Sequence, residues 1–121
     1  ALDGVELDRA LNLAQEAQQA MADDPRVADT LGFVYLKKGL SEPALQQIRY
    51  AIQLNEEAGQ PPQPVFQYHL GLVLRSLGRN DEAVAAFERA LGLDPNFAEA
   101  AETKKELEAA RAAMQAAPSA S

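Results

Sequence analysis

The side chains that could do chemistry are few and scattered along the chain. There is one histidine, His69, and there is no cysteine, so thiolate metal sites, disulfides and cysteine nucleophiles are excluded. A metal ion at His69 would need two or three further ligands, and no His-x-x-x-His or similar spacing occurs. Ser41 and Ser76 fall at turns or helix ends with no partner base indicated. The sequence therefore predicts no nucleophile and no metal centre.

The acidic pairs and the glycines do not favour catalysis either. Asp23-Asp24 and Glu56-Glu57 lie at the ends of predicted helices, where carboxylates cap a helix, oppose its dipole or face solvent. No Gly-x-Gly or Gly-Lys-Ser/Thr string is present to cradle a phosphate. We therefore predict that the protein is not an enzyme, has no catalytic residues and needs no cofactor.

Charge and hydropathy narrow the classes of partner. The chain has 18 acidic and 11 basic residues, which gives a net charge of −7. Such a chain repels phosphate backbones, so nucleic acid is not an expected partner. No apolar run approaches the roughly 20 residues of a membrane span, so direct membrane insertion is not expected. No leader sequence is recognised at the start, which leaves both cytoplasm and periplasm open.

The order of the residues shows an internal repeat that must position any functional side chain. Leu31-Gly32-Phe33-Val34 matches Leu70-Gly71-Leu72-Val73, and Gly39 matches Gly78, at an offset of 39 residues. A second comparison pairs Ala10 with Ala44 and reaches backward by 34 residues. The difference of five residues predicts an insertion at 59–63.

The apolar spacing of three and four within each unit indicates helices. The predicted helices span residues 5–22, 25–38, 42–58, 64–77, 81–92 and 97–115. Asp24-Pro25 and Gln63-Pro64 have the pattern of a helix start, and Gly39 and Gly78 that of a helix end. Ser41 and Asn80 are predicted to cap the helices that follow. Gly32 and Gly71 are expected where paired helices cross closely.

Paired helices with this signature resemble the tetratricopeptide repeat (TPR) family. The resemblance is carried by two sets of residues: Leu31, Gly32, Tyr35, Gly39, Ala44 and Ala51, and then Leu70, Gly71, Gly78, Ala83, Phe87, Ala90, Asp94 and Pro95. It covers residues 8–115 and implies an all-α, right-handed solenoid of antiparallel helix pairs. The implied organisation is a TPR domain over 1–116 and a disordered tail over 117–121. The domain comprises a half-repeat at 5–24, repeats at 25–58 and 64–95 separated by the insertion, and a C-terminal capping helix at 96–116. The incomplete first repeat also predicts that the chain is the C-terminal part of a longer protein, or else begins with a divergent cap.

The resemblance implies a non-catalytic function in binding a peptide or helix of a partner protein on the concave face. The residues placed on that face by register are Arg26, Asp29, Thr30, Phe33, Leu36, Lys37, Val65, Tyr68, His69, Leu72 and Arg75. Glu102, Thr103 and Glu106 would extend it from the last helix. Some members of the family hold the C-terminal carboxylate of chaperone tails with Lys and Asn. Because Asp29, Phe33 and His69 occupy those positions here, chaperone tails are disfavoured.

An alternative hypothesis is structural. The first predicted helix leaves an apolar edge at Leu7, Leu11 and Ala14, which would suit a segment of a larger TPR scaffold or a homo-oligomer formed through that helix. The stretch from Asp29 to Leu36 is similar to stretches in bacterial members of the family, including members tied to envelope and exopolysaccharide export. That similarity implies a bacterial source and gives an envelope or exopolysaccharide export system as an example of the setting for such an assembly role.

Overall fold

The computed structural model describes residues 4–116, which are helical with short connecting turns and contain no strand. The helices are α1 (Gly4–Ala20), α2 (Pro25–Lys37), α3 (Ser41–Glu57), α4 (Pro64–Ser76), α5 (Asn80–Leu93) and α6 (Ala100–Ala116). The predicted all-α fold class is confirmed. The predicted disordered tail at 117–121 lies outside the described residues, and the handedness of the solenoid stays a prediction.

The chain divides between Pro62 and Gln63 into two compact units. Unit 1 holds α1, α2 and α3, and α2 packs against both of its neighbours. Unit 2 holds α4, α5 and α6; here α5 packs against both neighbours, and α4 also meets α6. Each unit is therefore a three-helix assembly, with a different helix in the middle.

The core of unit 1 forms where α2 crosses α3. Leu31 and Ile48 are fully buried there, with Ala44 and Ala51. A Cβ on Gly32 would lie 2.5 Å from Ile48 Cγ1 and 3.1 Å from the carbonyl oxygen of Ala44. A side chain here would force Ile48 or the helices to shift, so glycine favours the close approach of the two helices.

The core of unit 2 has the same arrangement, with the larger side chain of Phe87 in the place of Ile48. Phe87 is fully buried on α5 between Ala83 and Ala90. A Cβ on Gly71 would lie 2.3 to 2.8 Å from three atoms of the Phe87 ring. The predicted roles of both glycines in helix crossings are confirmed.

The helix ends follow the sequence in part. Asp24 Oδ1 accepts a hydrogen bond from Arg26 N at 2.9 Å, and Pro25 is the first residue of α2. Gly39 and Gly78 take φ values of 80° and 76° after α2 and α4, as expected for glycines that end helices. The predicted caps at Ser41 and Asn80 are wrong, because each is the first helical residue. Leu40 and Arg79 precede them without a side-chain cap hydrogen bond.

The insertion lengthens α3 relative to its counterpart α5. The two helices start at equivalent positions, but α3 has 17 residues and α5 has 14. In the last turn of α3, the buried Asn55 donates from Nδ2 to the carbonyl oxygen of Pro61, beyond the helix, at 2.9 Å. At the corresponding end of α5, Asp94 Oδ1 accepts a hydrogen bond from Asn96 N. Turns continue through residue 99, so α6 begins three residues later than predicted.

Candidate functional site

The predicted contact residues of unit 1 all lie on α2, but they are not equally accessible. Arg26, Thr30 and Lys37 are exposed, whereas Phe33 and Leu36 are half-buried. Asp29 is only 6% exposed, so its side chain does not present a carboxylate at the surface. Asp29 is therefore excluded from the proposed contact residues. The register correctly assigned these residues to one helix but could not distinguish a buried acid from an exposed one.

Phe33 and Lys37 lie side by side in the C-terminal half of α2. Lys37 Nζ lies 5.0 Å from the centroid of the Phe33 ring, which is within the range of a cation–π contact. Helical spacing of four residues places the two side chains on the same face. This pair gives α2 an apolar surface with a positive edge.

The predicted contact residues of unit 2 form a stripe along α4. We call Val65, Tyr68, His69 and Leu72 the α4 strip; with Arg75 at its C-terminal end, its members follow helical spacing. All five side chains are half-buried. Because the stripe runs from Val65 to Arg75, it extends about 15 Å along the helix axis. That length suits contact with two to three turns of a partner helix or a short extended peptide.

Tyr68 is the centre of an aromatic cluster within unit 2. Its ring centroid lies 5.6 Å from His69, 6.3 Å from Phe87 and 6.4 Å from Phe97. The contact with Phe97 is edge-to-face, an arrangement that aromatic rings favour. Tyr68 is thus anchored to the core of unit 2 as well as contributing to the surface. Its rigid position would reduce the entropy lost when a partner binds.

Carboxylates from the start of α6 and the turn before it surround this cluster. Partial burial raises the pKa of the Tyr68 hydroxyl above 10.0, and the negative charges of Glu106, Glu102 and Glu99 raise this pKa further. Arg75 Nη1 donates to Glu106 Oε1 at 2.8 Å and joins α4 to α6. Within residues 4–116, neither Glu99 nor Glu102 forms an ion pair.

Of the three α6 residues that the sequence predicts to extend the contact surface, two lie near Tyr68 and one is buried. Glu102 and Glu106 lie on the flank that faces Tyr68, but Thr103 is fully buried and donates from Oγ1 to the carbonyl oxygen of Glu99. Thr103 is therefore a core residue, not a surface residue. Sequence reasoning missed Phe97 and Glu99 as members of the site. Their position directly after Asp94-Pro95, where a third repeat would begin, was the signal that could have found them.

A separate concavity lies between α1 and α2 in unit 1. It has a volume of about 310 Å³ and is lined by Ala14, Ala17, Met21, Asp24, Arg26, Val27 and Thr30. Val5 and Leu13 of α1 are 69% and 60% exposed, and Met21, directly after the helix, is 49% exposed. The apolar edge predicted at Leu7, Leu11 and Ala14 is not the exposed one, because Ala14 is buried and both leucines are half-buried. Val5 and Leu13 are the large apolar side chains that α1 leaves exposed, and another surface can cover them.

Among the described residues, no three His, Asp or Glu side chains are close enough to hold a metal ion. In that same part of the chain, no helix has the length and apolar character needed to cross a membrane. The arrangement around Tyr68 is instead an aromatic and aliphatic surface with charged edges, which is a composition suited to protein recognition.

The comparisons with known proteins agree with the helical pattern of unit 2. Residues 64–97 match a family model described as tetratricopeptide repeat. The match spans α4, α5 and the first part of the turns that follow, up to Phe97, and so includes the whole α4 strip. It supports the assignment of this segment to that repeat family. No curated protein matches the chain.

Proposed function

We propose that this protein is a non-catalytic protein–protein interaction module, and that the α4 strip is its main contact surface. The observation that carries the proposal is the state of this strip: apolar and aromatic side chains in helical register stay half-exposed on a well-packed helix. The repeat family matched by residues 64–97 is one of interaction scaffolds, which supports a role in binding over a role in catalysis.

The ligand proposed here is a peptide or helix of a partner protein. Val65 and Leu72 can bury apolar side chains, while Tyr68 offers a fixed ring and Arg75 a charged edge. On α2, Phe33, Leu36 and Lys37 offer a second strip with similar chemistry. A chaperone-type terminal carboxylate is not the proposed ligand, because Glu99, Glu102 and Glu106 near Tyr68 would repel it.

Selection from a displayed library of random peptides tests this proposal. The library is panned against the wild-type chain and against Val65→Ala/Leu72→Ala, which shortens two half-buried side chains of the strip. Leu93→Ala serves as the matched control, because Leu93 is an exposed leucine on α5. Circular dichroism and melting verify that each variant remains folded.

We expect peptides that bind the wild type and Leu93→Ala but lose most of their affinity for the double variant. Removing two apolar contacts of this size costs about 1 to 3 kcal/mol of binding free energy in total. Equal binding to all three proteins would place the site elsewhere. Failure to enrich any peptide above an unrelated helical protein would count against the interaction function itself.

A second candidate function is assembly through α1, as a segment of a larger repeat scaffold or as a self-associating unit. The specific observation that favours it is the exposure of Val5 and Leu13 on α1 and of Met21 directly after it. Sedimentation velocity over a concentration series would test self-association, with Leu13→Gln/Met21→Gln as the variant. A monomer at all concentrations would rule out self-association. A bacterial export system as the setting is proposed only from the similarity of residues 29–36 to such proteins.

A further inference from the structure

We propose that the partner segment recognised by the α4 strip is basic and amphipathic, with an apolar or aromatic residue beside Lys or Arg. This inference rests on the proposed function, because it specifies the chemistry of the ligand for the same surface. It concerns unit 2 alone, where α4, α6 and the turn at Phe97 are packed together.

The first step is the shape of the surface. The Tyr68 ring is held by Phe87 beneath it and by the edge-to-face contact with Phe97. Leu72 lies one turn further along α4 and is half-buried. An apolar side chain of a partner can therefore rest beside Leu72 while it contacts the edge of a fixed aromatic ring.

The second step is the charge next to that apolar surface. Glu99, Glu102 and Glu106 provide three negative charges, and Arg75 provides one positive charge in its ion pair with Glu106. The sum is 1 − 3 = −2 for the groups nearest the strip, with His69 counted as neutral. A cationic side chain would gain from these carboxylates and from the face of Tyr68.

The third step concerns the lysines of α6. Lys104 and Lys105 line a different concavity on the outer side of α6, together with Ala101, Glu102 and Glu108. Neither lysine forms an ion pair within the described residues. Both lysines thus lie on a different flank of α6 from Glu106, which pairs with Arg75 of α4, while Arg111 of α6 pairs with Glu88 of α5. Glu102 borders both regions.

Three synthetic peptides of equal length test the proposal. They share one helical pattern of leucines, and their remaining positions are lysine, glutamine or glutamate. Binding is followed by fluorescence anisotropy of the labelled peptides at physiological ionic strength, so that exposed charges at long range are screened. The full chain is used throughout.

Matched variants separate a local effect from the general attraction of an acidic protein for a basic peptide. Glu99→Gln/Glu102→Gln removes two charges beside the strip, and Glu16→Gln/Glu108→Gln removes two exposed charges elsewhere. Both variants change the net charge from −7 to −7 + 2 = −5. Leu72→Ala tests whether the α4 strip is used at all.

We expect the lysine peptide to bind best and the glutamate peptide worst. Glu99→Gln/Glu102→Gln should weaken the lysine peptide about three- to tenfold, because each rim charge contributes up to about a fivefold effect. Glu16→Gln/Glu108→Gln should change its affinity by less than about twofold. Affinity for the lysine peptide should also fall with Leu72→Ala.

Other outcomes would contradict the basic partner, the proposed binding function, or both. Equal affinity for the three peptides, with loss in Leu72→Ala, would overturn the basic partner but leave the proposed binding function standing. Equal weakening by the two double variants would show attraction to overall charge only, and would also overturn it. Absence of binding by all three peptides would contradict both the basic partner and the proposed function.

Discussion

The two halves of the molecule use equivalent helix pairs but cover them differently. In unit 1 the added helix, α1, packs against α2, the first helix of its pair. In unit 2 the added helix, α6, packs mainly against α5, the second helix of its pair, and also reaches α4. As a result α4 gains a flank of carboxylates and the Phe97 ring, whereas α2 gains a neighbour with exposed apolar residues.

This difference shows that the repeat pattern determines the helix crossing but not the surface beside it. Gly32 faces Ile48 and Gly71 faces Phe87 at equivalent positions, and both crossings are tight. The chemistry around each pair comes from residues outside the pattern. Changes at the crossings should therefore affect stability, and changes around them should affect recognition.

The largest expected effect comes from filling the two crossings. Gly71→Ala should lower the free energy of unfolding by about 2 kcal/mol, because the new methyl group would overlap three atoms of a buried ring. Gly32→Ala should cost about 1 kcal/mol, since only one contact with Ile48 lies below 3.0 Å. Urea unfolding measures both values.

Gly92→Ala is the matched control for this pair. A Cβ at Gly92 would meet nothing within 4 Å, and alanine is favoured over glycine in a helix by about 0.5 to 1 kcal/mol. We expect this variant to be as stable as the wild type or slightly more stable. If Gly71→Ala behaved in the same way, the crossing of α4 and α5 would be looser than described.

The next largest effect on stability is expected from the side chains that hold the C-terminal ends of α3 and α5. Asn55→Ala removes the donor to the Pro61 carbonyl oxygen from a site where the side chain is buried. Such a loss costs about 1 to 2 kcal/mol. Asp94→Ala removes an exposed hydrogen bond to Asn96 N and should cost about 0.5 kcal/mol. Equal costs in thermal or urea unfolding would contradict a special role for the insertion in fixing the end of α3.

The environment of Tyr68 predicts a pH effect specific to unit 2. Its folded-state pKa is raised above the ordinary value of 10.0 by burial and by the nearby glutamates. Above pH 10 the unfolded chain releases this proton more readily than the folded chain, so stability falls as the pH rises. Below about pH 10 the Tyr68 hydroxyl does not change how the free energy of unfolding depends on pH.

Tyr68→Phe should therefore lose less stability than the wild type between about pH 10 and 11. The measurement is the difference in unfolding free energy between the two proteins as a function of pH. Parallel curves for the two proteins would contradict the raised pKa, whatever the common slope from other groups.

The smallest expected effect is the difference in coupling energy between one ion pair of unit 2 and one of unit 1. Arg75–Glu106 is partly screened from solvent, while Asp8 in the Lys38–Asp8 pair is 65% exposed. Double-mutant cycles should give a coupling of about 0.5 to 1 kcal/mol for the first and about 0.3 kcal/mol or less for the second. A larger coupling for Lys38–Asp8 would reverse the assigned difference in burial.

The helices and their crossings could be predicted because they depend on local spacing and on paired glycines. Asp24, Gly39 and Gly78 also act through local backbone geometry, so the sequence located them correctly. The burial of Asp29 and Thr103 could not be predicted in this way. It depends on which helix covers which face, and the register of a single helix does not contain that information.

The same limit applies to the candidate site. The pattern identified Tyr68 and Leu72 on α4, but the edge-to-face contact of Phe97 depends on the path of the turn before α6. Helix α6 begins at Ala100, later than its apolar pattern indicated, because turns occupy the residues after Asp94-Pro95. Those turns bring Phe97 beside Tyr68, and Glu99 is their last residue before α6.

The most direct test of the α4 strip is a backbone amide NMR titration of the labelled chain with the leucine–lysine peptide. We expect the largest saturable shift changes from Val65 to Arg75 and from Phe97 to Glu106, with little change along α3. Shift changes confined to α1, or centred on Lys104 and Lys105 at the outer flank of α6, would contradict recognition through the α4 strip.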